Sequence, residues 1–236
     1  MKMGVMQPYF MPYIGYFQLI SAVDVFVVYD NIKYTKKGWI NRNRMLVNGT
    51  DAMFSLPLKK DSDTLDVLQR ELSTDFDRIK VLNQIRGAYA STPQFENTYP
   101  VIEQIVNHKN NNLFLYIYNS ILQLCAHLNI MTEIKVSSGL PIESGLKGQD
   151  KVLAICKATD AVTYINAIGG VELYDADAFR NQGVELQFIK PRPFEYVQLG
   201  HPFIPWLSLI DVLMFNPLDE VINRVNNGFD LIGASK

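Results

Sequence analysis

The opening segment of the chain fixes the kind of sheet it can build. Residues 4–7 read as a short apolar strand that runs into Pro8-Tyr9-Phe10-Met11-Pro12, where two prolines stop a helix from following directly. Residues 15–22 then carry the pattern of a two-turn helix. Asp24-Val25-Phe26-Val27-Val28-Tyr29-Asp30 follows as an apolar strand closed at each end by a carboxylate. A strand without polar alternation is one buried on both faces. Strand, short helix and strand in this order make a βαβ unit, with parallel strands and a right-handed crossover.

The same alternation returns later. Strands are expected at residues 134–138, 162–168 and 184–189, with helices at 147–159 and 175–181, the latter stopped by Gly183. Two helices, 206–215 and 218–226, close the chain. Between the two alternating sections, residues 31–49 are polar and rich in Asn and Lys. They read as a loop and ribbon whose Asn48-Gly49 turn leads into a strand at 52–58. Helical spacing then takes over at 75–89, where Phe76, Ile79, Leu82 and Ile85 are expected to share the buried face, and at 99–106 and 113–128. The run Asn107-His108-Lys109-Asn110-Asn111-Asn112 separates the last two as a loop and N-cap. The expected fold class is α/β: a single Rossmann-like, mostly parallel sheet, forming one domain over residues 1–236 with a helical insertion at 64–130.

Charge and cysteine content narrow the setting. In 236 residues, 22 Lys+Arg stand against 24 Asp+Glu, a net charge of −2, which does not suit a protein that coats duplex nucleic acid. The two cysteines, Cys125 and Cys156, lack the spacing of a metal or redox site and cannot form a disulfide scaffold. No run reaches the length of a membrane span, and the first residues lack the apolar core of a signal peptide. The expectation is a cytoplasmic protein with no metal site and no membrane span.

Four segments carry candidate chemistry. The first is the turn after the first strand, where Gln7, Tyr9, Tyr13 and Tyr16 bring polar tips and Gly15 opens a helix N-terminus to a phosphate. This turn is loosely similar to the HIGH-type nucleotidyltransferase turn, with Tyr13-Ile14-Gly15-Tyr16 where the two histidines would stand. The second segment runs from Lys33 to Arg44 and sets five cations among Tyr34 and Trp39. In its Asn41-Arg42-Asn43-Arg44 stretch, alternation puts both arginines on one face of a strand, suited to a diphosphate. The third comprises two loops after strands, one with Ser137, Ser138 and Lys147, the other with Gly169 and Gly170. The fourth spans residues 196–211, where His201 lies between Gly200 and Pro202 as a general base would. There Gln198 precedes it, and Asp211 is expected to be a buried partner of one of the arginines.

Taken in order, these segments resemble the WbqC-like family over nearly the whole chain. The resemblance rests on Gln7 through Phe17, on Asp24 through Asp30, and on Asn41-Arg42-Asn43-Arg44. It continues through Lys147-Gly148, Tyr164 to Gly170, Tyr196-Val197-Gln198, and Pro202 to Asp211. It implies a place in O-antigen and surface polysaccharide biosynthesis. The implied activity is transfer of a glycyl, other aminoacyl or acyl group to the amine of a nucleotide-linked amino sugar. On that reading Gln7, Tyr9, Gly15 and Tyr16 shape the pocket, and Trp39 stacks on a base or sugar. Arg42 and Arg44 hold phosphate, with Asn41, Asn43, Lys147, Gly169 and Gln198 completing the binding set. Asp30 or His201 removes the ammonium proton before attack. The co-substrate stays open between ATP and an activated acyl or glycyl donor. Two other readings also stay open: an ATP-dependent adenylate-forming or nucleotidyl-transfer enzyme, and a non-catalytic binder of nucleotide sugars.

Overall fold

The computed structural model describes residues 1–62 and 64–234. Its main sheet has six strands in the order β5-β2-β1-β6-β7-β8: β1 is Lys2–Met6, β2 Val25–Val28, β5 Glu133–Val136, β6 Thr163–Ala167, β7 Glu185–Pro191 and β8 Phe229–Gly233. All neighbours are parallel except β7 and β8, and Gly4 of β1 lies opposite both Phe26 of β2 and Ile165 of β6. The first crossover runs through α1 (Ile14–Ser21) and places β2 beside β1, as the βαβ pattern requires. Chain order therefore proceeds outward from β1 to β2 and β5, then restarts on the other side with β6 and β7. The reversal between β1 and β6 is the topological switch point of a Rossmann-like sheet, where a crevice opens outside the carboxyl ends of the strands.

Side chains alternate across the central strands and feed two cores. Val25 and Val27, with Met3, Val5, Tyr164 and Phe188, pack against α5 (Gly148–Ala158) and α6 (Ala176–Asn181). On the opposite face Phe26, Val28, Ile165 and Ile189 pack against α1 and α8 (Leu218–Asn227). That core continues into α2 (Arg78–Tyr89), α3 (Phe95–Val106), α4 (Leu113–His127) and α7 (Leu209–Phe215). Buried Gln18 ties α1 to the end of α8 by donating to the carbonyls of Arg224 and Gly228, each at 3.0 Å. Cys125 and Cys156 are free and buried, one in each core, and burial pushes both thiols up to about 12.

The ribbon is a separate two-stranded hairpin, β3 (Arg42–Val47) with β4 (Thr50–Ser55). Asn48 and Gly49 both adopt positive φ, 50° and 74°, the turn that matches hairpin twist. Helix caps follow the sequence: Asp77 accepts from Lys80 N and Asn112 from Leu115 N.

Several expectations need correction. Ile79 is 70% exposed, and the buried face of α2 is Val81, Leu82, Ile85 and Tyr89. Phe76 lies before the helix, so counting the period from it points Ile79 the wrong way. The helix expected from 99 begins at Phe95 and carries Pro100 inside it. The last-but-one helix begins at Leu209 rather than 206, because Trp206 has φ 61° and Ser208 caps Ile210 N. Strand β8 had no expectation at all; its residues are mostly exposed, so it carries no strong apolar signal.

Candidate functional site

The carboxyl ends of the parallel strands share one edge, and the first turn, the hairpin and the segment before α7 are bound together above it. Phe10 N donates to Ile40 O at 2.9 Å, and Ser208 N donates to Arg44 O at 2.9 Å. Leu209 N donates to Pro12 O at 2.8 Å. Asn43, which alternation turns inward, donates to the carbonyls of Met11 (2.9 Å) and Phe10 (3.3 Å), and Ser208 Oγ donates to Met11 O at 2.6 Å. Met11 and Trp206 hold φ values of 44° and 61°. Such backbone costs about 1–3 kcal/mol per residue and persists only where neighbours over-determine it. Here the two strained residues flank one cleft.

The cleft has two lobes. The smaller, about 240 Å³, is walled by Tyr9, Pro12, Tyr13, Trp39, Asn43, Arg44 and Trp206. The larger, about 720 Å³, runs from Tyr13, Ile14 and Ile168 over Pro191 to Phe194, Phe203 and Trp206. Tyr13 and Trp206 line both, their rings 5.9 Å apart and edge to face. Ile14 follows β1, Ile168 follows β6 and Pro191 ends β7, so the larger lobe opens beside the switch point.

Arg44 is the cation of the smaller lobe, while Lys190 and Arg192 line the larger. Arg44 Nη1 donates to Asp51 at 3.0 Å and its Nη2 to Trp206 O at 3.3 Å, while Nε is buried with no acceptor among the described residues. Arg42 and Arg44 stand on the same strand face, as alternation requires, with guanidinium carbons 5.9 and 5.8 Å from the Trp39 ring centre. Arg42 is committed to the carbonyls of Gly38 (2.9 Å) and Lys37 (2.6 Å), which fixes the loop that presents Trp39. Asn41 accepts from Tyr34 OH at 2.8 Å and donates to Leu56 O at 2.8 Å, so its amide holds the ribbon rather than the cleft.

The first turn divides its residues between wall and support. Tyr9 and Tyr13 line the cleft, and burial raises both phenols above their ordinary pKa. Tyr16 is buried with its OH on Gln7 O at 3.0 Å, and Tyr9 OH lies 3.5 Å from Gln7 Oε1. Of the two tyrosines at HIGH-type positions, one thus faces the cleft and the other braces the turn. Gly15 has a packing reason: a Cβ there would clash with the Tyr13 ring and lie 3.0 Å from Pro191.

The expected bases lie elsewhere. Asp30 is buried at the ends of β2 and β5, accepting from Ser137 Oγ (2.8 Å), Ser138 Oγ (2.5 Å) and Ser138 N (3.0 Å). Beside it Lys151 donates to Asn31 Oδ1 (2.6 Å) and O (3.1 Å), and burial lowers its pKa against the opposing pull of Asp30. His201 packs on the hairpin turn, where a Cβ on Gly49 would meet its ring at 2.6 Å. Neither Asp30 nor His201 is among the residues lining the two lobes. Lys147 is the N-cap residue of α5, and Gly169 adjoins Ile168 on the 3₁₀ turn after β6.

Asp211 corrects a further expectation, since its partners are neutral. It is fully buried and accepts from Tyr196 OH (2.6 Å), Gln198 Nε2 (2.8 Å) and Tyr89 OH (2.9 Å), with no arginine in the set. Burial raises its pKa, partly countered by these three hydrogen bonds. Gln198 also closes the loop before α7, its Oε1 accepting from Ile204 N at 2.7 Å. Tyr196 lines the larger lobe, so this network fixes a cleft wall from below. Pairwise sequence spacing gave no sign of it, because Tyr89 lies on α2, 122 positions away.

This geometry sits within a sequence pattern shared with other proteins: the profile of the WbqC-like protein family matches residues 7–223. The chain belongs to that family. The match spans every cleft-lining residue named here. A Mycobacterium tuberculosis (strain ATCC 25618 / H37Rv) protein titled "Uncharacterized protein Rv1507c" is 24% identical over 218 residues, covering 91% of this WbqC-like chain and 93% of that protein. No solved structure matches the chain significantly. Among the described residues, no helix is long and apolar enough to cross a membrane, and no group of three or more His, Cys, Asp or Glu is placed to hold a metal ion.

Proposed function

We propose that this WbqC-like protein is a cytoplasmic transferase that forms an amide on the amine of a nucleotide-linked amino sugar. The observation that carries the reading is the convergence of Tyr9 and Tyr13, Trp39 and Arg44, and Trp206 on one cleft beside the switch point of a Rossmann-like sheet. Aromatic walls suit a base or sugar ring, and the positive charge of the Arg44 guanidinium on the cleft wall suits a diphosphate. Attack requires a neutral amine, so a base must face the cleft. Among the described residues the carboxylate on its wall is Glu195, which takes this role in place of Asp30 and His201.

Both tryptophans of the chain line the smaller lobe, so intrinsic fluorescence reports its occupancy. Titration with a dTDP-linked 4-amino sugar is expected to change that emission. Incubation with glycyl and acyl donors is expected to yield an amide product by mass spectrometry. Absence of an amide with every donor would overturn the transferase reading, and pyrophosphate release from ATP would redirect it to adenylate formation.

A further inference from the structure

We propose that the larger lobe is an acyl site and that the transferred group is an apolar acyl chain rather than glycyl. This narrows the donor of the transferase reading above and rests on it. The lobe encloses about 720 Å³ between Phe194, Phe203, Trp206, Leu207 and Val212. That is room for a ligand of drug-like size, far beyond a single methylene. Its chemistry also rejects glycyl. A glycyl ammonium needs carboxylates or carbonyls to replace its water, and apolar walls remove the water without that replacement. Among the described residues the lobe's charged side chains are Lys190, Arg192 and Glu195, all exposed at the rim, and two cations against one carboxylate do not favour a second ammonium there. An apolar chain meets no such penalty and gains roughly fourfold in affinity for each buried methylene.

The lobe is also held in shape before any ligand arrives. Pro191, Pro193 and Pro205 stiffen its loops, and the Asp211 network anchors Tyr196 beneath it. Trp206, 59% exposed, is fixed through its carbonyl by Arg44. Because Tyr13 and Trp206 belong to both lobes, an acyl carbon at their junction faces a sugar bound over Trp39 and Arg44. With an acyl thioester as donor the step balances. The sugar ammonium gives one proton to Glu195, and its nitrogen bonds to the acyl carbon. The carbon–sulfur bond breaks, the sulfur leaves with the electron pair, and it takes the second proton from nitrogen.

Titration calorimetry with N-acetylcysteamine thioesters tests the assignment, using glycyl, acetyl, butyryl, hexanoyl and octanoyl forms. The dissociation constant is expected to fall about fourfold per methylene until the lobe is filled, with glycyl weakest. Ile168→Trp adds bulk on the wall of the larger lobe alone, at a residue already 37% exposed. It is expected to end the series at a shorter chain while leaving dTDP-amino-sugar affinity unchanged. A flat series, glycyl binding as well as octanoyl, or a series that ends at the same chain length in Ile168→Trp overturns the acyl site. If the sugar still binds and a glycyl amide still forms, the transferase reading survives that failure. If no donor gives an amide, the transferase reading falls whatever the slope.

Discussion

At the carboxyl ends of β2 and β5, Asp30 is surrounded by Ser137 and Ser138, and Lys151 rests on Asn31. Along the same edge, at the ends of β1, β6 and β7, Arg44, Lys190, Arg192 and Glu195 line a cleft whose aromatic surfaces stand open. The hydrogen bonds of the first cluster are made within the protein. The second borders about 240 and 720 Å³ of open volume. A binding site is therefore marked by what the fold leaves open, whereas a polar cluster bonded within the protein braces the structure.

Substitutions can break this contrast. The largest effect is expected from Asp211→Ala, which strands Tyr89 OH, Tyr196 OH and the Gln198 amide in the interior and lowers stability by about 3 kcal/mol or more in urea unfolding. Asp211→Asn keeps the shape and tests the charge. With a raised native pKa, the folded state holds more protons than the unfolded one between the ordinary aspartate value and the raised value. Wild-type stability therefore falls as pH rises through that window, and the Asn variant should lack this component.

The next pair separates the two clusters directly. Asp30→Ala should cost about 2 kcal/mol of stability and leave the fluorescence response to a dTDP-amino sugar intact, because it removes the acceptor of three internal hydrogen bonds. Arg44→Ala should do the reverse, weakening sugar-nucleotide affinity about 10- to 100-fold with little change in melting temperature. A loss of binding in the Asp30 variant without unfolding would erase the distinction.

Lys151→Met should have the smallest effect, within about 1 kcal/mol at neutral pH, since an apolar side chain avoids the desolvation that Lys151 suffers. Between its lowered native pKa and the ordinary lysine value the unfolded chain binds more protons. Wild-type stability gains a component as pH rises there, and thermal unfolding at alkaline pH should show that the Met variant lacks it.

Local pattern made much of the fold legible. The buried strand Val25–Val28 reads from its unbroken apolar run, and the hairpin from Asn48-Gly49, whose positive φ few other pairs accept. Arg42 and Arg44 on one face follow from strand alternation. The site was legible only in part. The sequence marks Tyr9, Trp39, Asn43 and Arg44 as binding candidates, and they meet in the smaller lobe. It equally marks Asp30 and His201, because residue type and a flanking turn look the same whether a group faces a cleft or is sealed by serines.

What the chain determined by itself is what depends on neighbours in sequence: strand burial, turn geometry, helix caps and the parallel βαβ start. Tertiary structure decided which polar groups were consumed and which left open, since that depends on contacts between distant segments. Asp211 meets Tyr89 across 122 positions, and Arg44 meets Trp206 across 162. No local period encodes such pairings. They form only when the sheet brings its carboxyl ends to one edge and the hairpin and the segment before α7 close over it.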